Sequence, residues 1–110
     1  MATIYKILGQ AAPAATTETD LYTVPASTSA IISTLVVTNR STTAAATFRL
    51  STSAAGAATA TKDYIAYDIT IAPSGIVALT FGVTLATTDK IRVYASTANL
   101  SFNAYGTEIS

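Results

Sequence analysis

The stretch "LYTVPASTSAIISTLVVTNRS", residues 21–41, decides how the rest of the chain is read. Its centre, Ala30-Ile31-Ile32-Ser33-Thr34-Leu35-Val36-Val37, is apolar for most of its length and lies between a proline turn at Pro25 and an Asn39-Arg40-Ser41 corner. That centre falls far short of the roughly 18–20 apolar residues that cross a bilayer. Its β-branched content and bounding turn residues instead indicate a strand over 29–39. Ile32 and Val36 lie on one face of a regular strand, and Ile31, Leu35 and Val37 on the other. The expectation is a strand covered on both faces, either central in a sandwich or buried by a neighbouring subunit.

Outward from this strand the dominant period is two. Phe48 and Leu50 alternate with Arg49; Ile91, Val93 and Ala95 with Lys90, Arg92 and Tyr94; Leu100, Phe102 and Ala104 with Ser101, Asn103 and Tyr105. The same period groups Ile65, Tyr67, Ile69 and Ile71 on one face, and Val77, Leu79, Phe81 and Val83 on another. Leu35 and Phe81 are both expected in the core. Turn residues separate the runs, with Pro73-Ser74-Gly75 the clearest hairpin-like corner. About eight strands result, near 3–8, 20–25, 29–39, 44–52, 62–71, 75–83, 89–96 and 99–105, followed by a short "TEIS" extension. Ala, Thr and Ser make up almost half the chain but concentrate in 11–20, 41–47 and 51–62, which read as loops and strand edges. Gly56, Thr59 and Thr61 argue against a helix in the alanine-rich part of the last stretch.

These signals define an all-β chain: a single-domain, antiparallel, two-sheet β-sandwich, with jelly-roll and immunoglobulin-like Greek-key orders both open. Paired cysteines and tryptophan are absent, which excludes a true immunoglobulin domain. At 110 residues the whole chain, 1–110, is one domain able to bury a core without metals or disulfides. Residues 1–19 read equally as an N-terminal arm or an edge strand. "MATIYKILGQ" lacks the long apolar run of a signal peptide.

Composition narrows the function. Six basic and six acidic residues give zero net charge, so there is no basic excess to displace counterions from phosphates, and no nucleic-acid partner is expected. Weak self-repulsion favours association instead. Without histidine or cysteine there is no Ser-His-Asp triad and no zinc site. Asp63 and Asp68 are five apart on one predicted strand and point to opposite faces, so they form no carboxylate dyad. Glu18 and Asp20 do not match a calcium-loop spacing. No glycine-rich phosphate loop occurs. Neither cofactor, membrane partner nor enzyme activity is expected.

The six tyrosines read as core or interface side chains, with a sugar-stacking face as the alternative. Arg49 and Arg92 are expected in cross-strand pairs with Asp63 or Asp68. Arg40 at its corner is the first candidate for a subunit contact, with Tyr22 and Tyr105 beside it.

The order "LYTVPASTSAIISTLVVTNRS", "TTAAATFRLS", "KDYIAYDITI", "GIVALTFGVTL", "DKIRVYAST" and "LSFNAYGTEIS" resembles a group of small structural proteins of tailed bacteriophages. The likeness rests on a Leu21-Tyr22-Thr23-Val24-Pro25 turn leading into an apolar strand that ends in Asn39-Arg40, and on the strand Asp89–Ala95. It covers nearly all the chain from residue 20, and its motifs are structural rather than catalytic. The resemblance implies a virion location and a capsid decoration (cement) protein. The partner would be the major capsid protein, and the form a homo-oligomer, a trimer among those it allows. The alternative is a tail, neck or baseplate component or host-attachment module, with tail proteins as partners.

Overall fold

The computed structural model describes residues 2–110 as nine antiparallel strands in two sheets. In chain order these are β1 (Thr3–Ala11), β2 (Thr19–Thr23), β3 (Ser29–Asn39), β4 (Ala46–Ser53), β5 (Tyr64–Ile71), β6 (Ile76–Leu79), β7 (Val83–Leu85), β8 (Lys90–Ala95) and β9 (Leu100–Ile109). Sheet A has the order β1-β9-β3-β6, with β7 continuing beside β3 beyond β6; sheet B has the order β2-β8-β4-β5. The first half of the chain therefore pairs with the second half in reverse: β1 with β9, β2 with β8, β3 with β6 and β7, β4 with β5. A long antiparallel ribbon has been wound on itself so that successive pairs fall in alternate sheets. That is the jelly-roll order, which resolves the choice left open by the sequence. It also reassigns the Pro73-Ser74-Gly75 corner: β5 and β6 belong to different sheets, so the turn carries the chain across the sandwich and is not a hairpin.

The inner faces meet in a core of Ile32, Leu35 and Val37 from β3, Phe48 and Leu50 from β4, Ile91 and Val93 from β8, and Leu100, Phe102 and Ala104 from β9. Phe48 and Phe102, one from each sheet, pack edge to face with ring centroids 6.1 Å apart. Asn39, 1% exposed, is one of the few polar side chains buried with this core. Its Nδ2 donates to the carbonyls of Ala44 (2.9 Å), Ile71 (3.3 Å) and Ala72 (3.3 Å), and its Oδ1 accepts from the Ser41 N–H (3.0 Å). The Asn-Arg-Ser corner is thus a buried clasp joining the end of β3 to the turn after β5.

Three expectations are corrected. First, β3 is not central with a layer of this chain on each face: within the chain only one of its faces is covered. Ser33 forms a bulge between Ile32, opposite Gly106, and Thr34, opposite Tyr105. The extra residue shifts the alternation, so Ala30 and Ile32 face the core before it, and Leu35, Val37 and Asn39 after it. Ala30, Ile32, Leu35 and Val37 thus fill the core face in two phases, while Ile31 and Val36 point outward. Second, Ile65 and Tyr67 do not share an inner face with Ile71. β5 bulges at Tyr67–Asp68, where Asp68 has φ 51°, and it is Ala66 that faces Leu50 and packs on the core. Third, Phe81 is outside. Gly82, with φ +65°, breaks the expected 75–83 strand into β6 and β7, and Phe81 in the break is 48% exposed. Residues 3–11 form an edge strand of sheet A, and β9 runs on to Ile109 through the segment read as a terminal extension.

The burial difference gives a direct expectation. Leu35→Ala removes a side chain 2% exposed and lowers stability by about 2–5 kcal/mol, whereas Phe81→Ala changes it by less than about 1 kcal/mol. Urea titration of both variants checks this.

Candidate functional site

The two outer faces of the sandwich have opposite chemistry. On sheet B the outward residues of β2, β4, β5 and β8 hold most of the ion pairs. Arg49 donates to the Asp68 carboxylate at the β5 bulge (Nε–Oδ1 2.7 Å), and its guanidinium lies 4.2 Å from the Tyr67 ring centroid and 4.5 Å from that of Tyr94. The fork-shaped cation is stacked between two rings and pins the residue that makes the bulge. Arg92 is a second hub: it donates to Asp20 (2.9 Å), to the Ser53 and Thr59 hydroxyls, and to the carbonyls of Gly56 and Ala57. It thereby holds the loop over 54–60 onto the sheet. Two single 3₁₀ turns, Ala54–Gly56 and Thr61–Asp63, stand in the alanine-rich segment, consistent with its breaker residues. The expected Arg49–Asp68 pair is present, while Arg92 has Asp20 as its carboxylate partner rather than Asp63 or Asp68.

Sheet A presents no charged side chain outward among the described residues. The alternation of β9 fixes this face: Phe102, Ala104 and Glu108 point inward, so Tyr105, Thr107 and Ile109 point out. Cross-strand register then builds two adjacent rows, Tyr5–Thr107–Ile31 and Ile7–Tyr105–Thr34. Tyr5 is 82% exposed, Ile7 50%, and Ile31 and Tyr105 38% each. Val36 and Ile109 extend the patch as half-buried side chains, and the exposed Ile76 lies at its far end. The two charges on the sheet, Lys6 and Glu108, turn inward at the open end of the sandwich and pair there at 3.3 Å.

The candidate contact residues separate accordingly. Tyr105 lies in the middle of the uncharged face. Arg40 is exposed at the opposite end of β3, where its guanidinium donates to the Ala98 carbonyl (2.7 Å) and its N–H to that of Asn99 (2.9 Å). Tyr22 is only 8% exposed and its hydroxyl donates to Glu108 Oε2 at 2.5 Å, so it ties sheet B to sheet A and has little surface to offer a neighbour. Tyr5, Ile7 and Ile31 were not singled out from sequence. "TIYKIL" reads apolar on both faces, and only the register with β9 assigns its faces.

Little here is arranged for acid–base chemistry. A depression of about 470 Å³ between the ends of β3, β7 and β9 includes one carboxylate, Asp89. Both Asp89 oxygens accept backbone N–H groups, from Ala55 and Ala86, each at 2.8 Å. Asp63 is likewise engaged by the Ala60 N–H and Lys62. Among the described residues no three acidic side chains gather as metal ligands.

Hydrogen bonds to the ionised form shift the carboxyls downward. The Tyr22 hydroxyl, then Lys6, holds Glu108 below its ordinary range; Lys90, then Arg92, does the same for Asp20. Burial, reinforced by Glu108, pushes the Tyr22 hydroxyl above its usual range. Comparison with protein-family models and with characterised proteins gives no match to this chain.

These shifts set the pH profile. Depressed carboxyls stabilise the fold above their unfolded values, near pH 4, and that contribution is lost as the pH falls through the folded values. A raised tyrosine contributes below about pH 10 and loses its contribution above that. Stability should therefore be level from about pH 5 to 9 and fall on both sides. Glu108→Gln should cost about 1 kcal/mol at pH 7 and shrink both the acid and the alkaline loss, read by thermal melts across the range.

Proposed function

We propose that this protein is a non-enzymatic structural component of a tailed-bacteriophage virion, a capsid decoration (cement) protein that acts as a homo-oligomer and braces neighbouring capsid subunits. The observation that carries the reading is the division of its surface: a charged, internally paired outer face on sheet B, and an uncharged, apolar outer face on sheet A. A monomer with no assembly role has no use for a contiguous face of Tyr5, Ile7, Ile31 and Tyr105 in contact with water. A cement protein needs what this chain has. It folds around its own core, carries no net charge to oppose close packing, and offers a broad surface for adding buried interface. The jelly roll supports the same reading, being an architecture found in viral shell domains as well as in lectins. The resemblance of the turn at Leu21–Pro25 and the strand at Asp89–Ala95 to small phage structural proteins points the same way.

Image reconstruction of intact particles tests the proposal. Density for this chain distributed over the capsid shell, with hundreds of copies per particle on a stained gel, is the expected result. Density confined to the tail, with a dozen or so copies, overturns the capsid assignment in favour of a tail component. Absence from purified virions overturns the reading altogether.

A further inference from the structure

The outer face of sheet A has a definite chemistry, and that chemistry limits what can cover it. We infer that its occupant is a second copy of the same chain, packed face to face across a two-fold axis that passes near Tyr105 and Thr107 on β9. The inference rests on the reading of this face as an assembly surface, and it adds the identity of the partner.

Three observations favour a second copy over a different protein. The face carries no side chain that is charged at neutral pH, so it has no charge pattern with which to select a charged partner, and two copies meet without like-charge repulsion. The chain's zero net charge removes the long-range barrier as well. Next, the face is an ordinary antiparallel sheet surface, and two sheets of the same twist pack well face to face at about 10 Å. A sheet meeting its own two-fold mate satisfies that condition automatically, which is the requirement for an isologous contact. Finally, the size is right. Four strands at about 4.8 Å spacing and ten residues at about 3.3 Å per residue give a face of about 600 Å² per copy. Two such faces bury about 1,200 Å² in all, inside the range of specific interfaces.

The residues also fit the anatomy of an interface. β9 is flanked on both sides, so Tyr105 and Thr107 sit at the centre of the patch, where the contact is driest. Tyr5, the most exposed of the apolar side chains, stands on edge strand β1 and would reach across to β3 of the mate, near Ile31. Aromatic anchors of this kind carry most of the affinity in such contacts. The dimer so formed turns its two sheet B faces, with their Arg49 and Arg92 clusters, away from each other. It thus presents the same charged face on opposite sides, an arrangement suited to joining two neighbouring subunits.

Sedimentation equilibrium of the purified full chain tests this without any virion, so its outcome does not depend on where the protein sits in a particle. The wild type should be a dimer at micromolar concentration. Tyr5→Lys places a charge in the face at an exposed position and should weaken the dimer at least tenfold, with an unchanged far-UV circular dichroism spectrum. Tyr67→Lys, equally aromatic but on sheet B, should leave the dimer intact. Ile7→Lys is a second variant in the face should Tyr5→Lys prove poorly folded. A monomeric wild type, a trimer, or a dimer as tight in folded Tyr5→Lys or Ile7→Lys as in wild type overturns the inference. A dimer that behaves as expected in a protein later found absent from virions keeps the interface and discards the cement role.

Discussion

The assignment of inside and outside in sheet A depends on the close approach of β9 to its neighbours at Tyr105 and Gly106. A Cβ at Gly106 would overlap the carbonyl oxygen of Ile31, so only glycine lets β3 come this near. At the same level both flanking strands carry an extra residue, Leu8 in β1 and Ser33 in β3. Paired bulges bend the sheet on both sides of its central strand, and each resets the alternation of the strand that holds it. Because of the reset, Ile32 and Leu35 lie on one side despite being three apart, and Leu8 and Gly9 both lie on the inner side despite being adjacent. Without it, half of β3 would turn its apolar side chains to water.

The consequence reaches the surface. Core demand fixes which residues point in, and what remains on sheet A is Tyr5, Ile7, Ile31, Thr34, Tyr105 and Thr107. The charges that could have kept this face wet are all elsewhere. Arg49 and Arg92 are committed to the bulge and the loop of sheet B, Asp89 to a turn, and Lys6 and Glu108 to the sandwich end. A chain with only 11% charged residues has few others for a second face, and the fold places none of them there. The apolar face is therefore a result of how few charges the chain has and where the fold needs them.

Where the backbone is regular, the sequence is a faithful guide. Phe48 and Leu50, Ile91, Val93 and Ala95, and Leu100, Phe102 and Ala104 face inward as their period indicates. Reading fails wherever the phase changes within a strand. Ser33 and the Tyr67–Asp68 step look like ordinary strand residues. What makes them bulges is the partner strand, and that is a tertiary fact. The same reason hid most of the candidate surface. Tyr105 was readable because β9 alternates without interruption. Tyr5, Ile7 and Ile31 were not, since their faces are assigned only by register across a bulge. Tyr22 shows the converse: a tyrosine that sequence offers as a contact is taken up by Glu108 on the opposite sheet.

In the proposed dimer the uncharged face of sheet A, and not the charged face of sheet B, is the one that becomes buried. Hydroxyl-radical footprinting across a protein concentration series measures this on native side chains, with no substitution. Modification of Tyr5, Ile7 and Tyr105 should fall as concentration rises while that of Tyr67 stays constant. Protection of Tyr67 and Tyr94 with Tyr5 unchanged, or unchanged reactivity at all of them through the series, would contradict it.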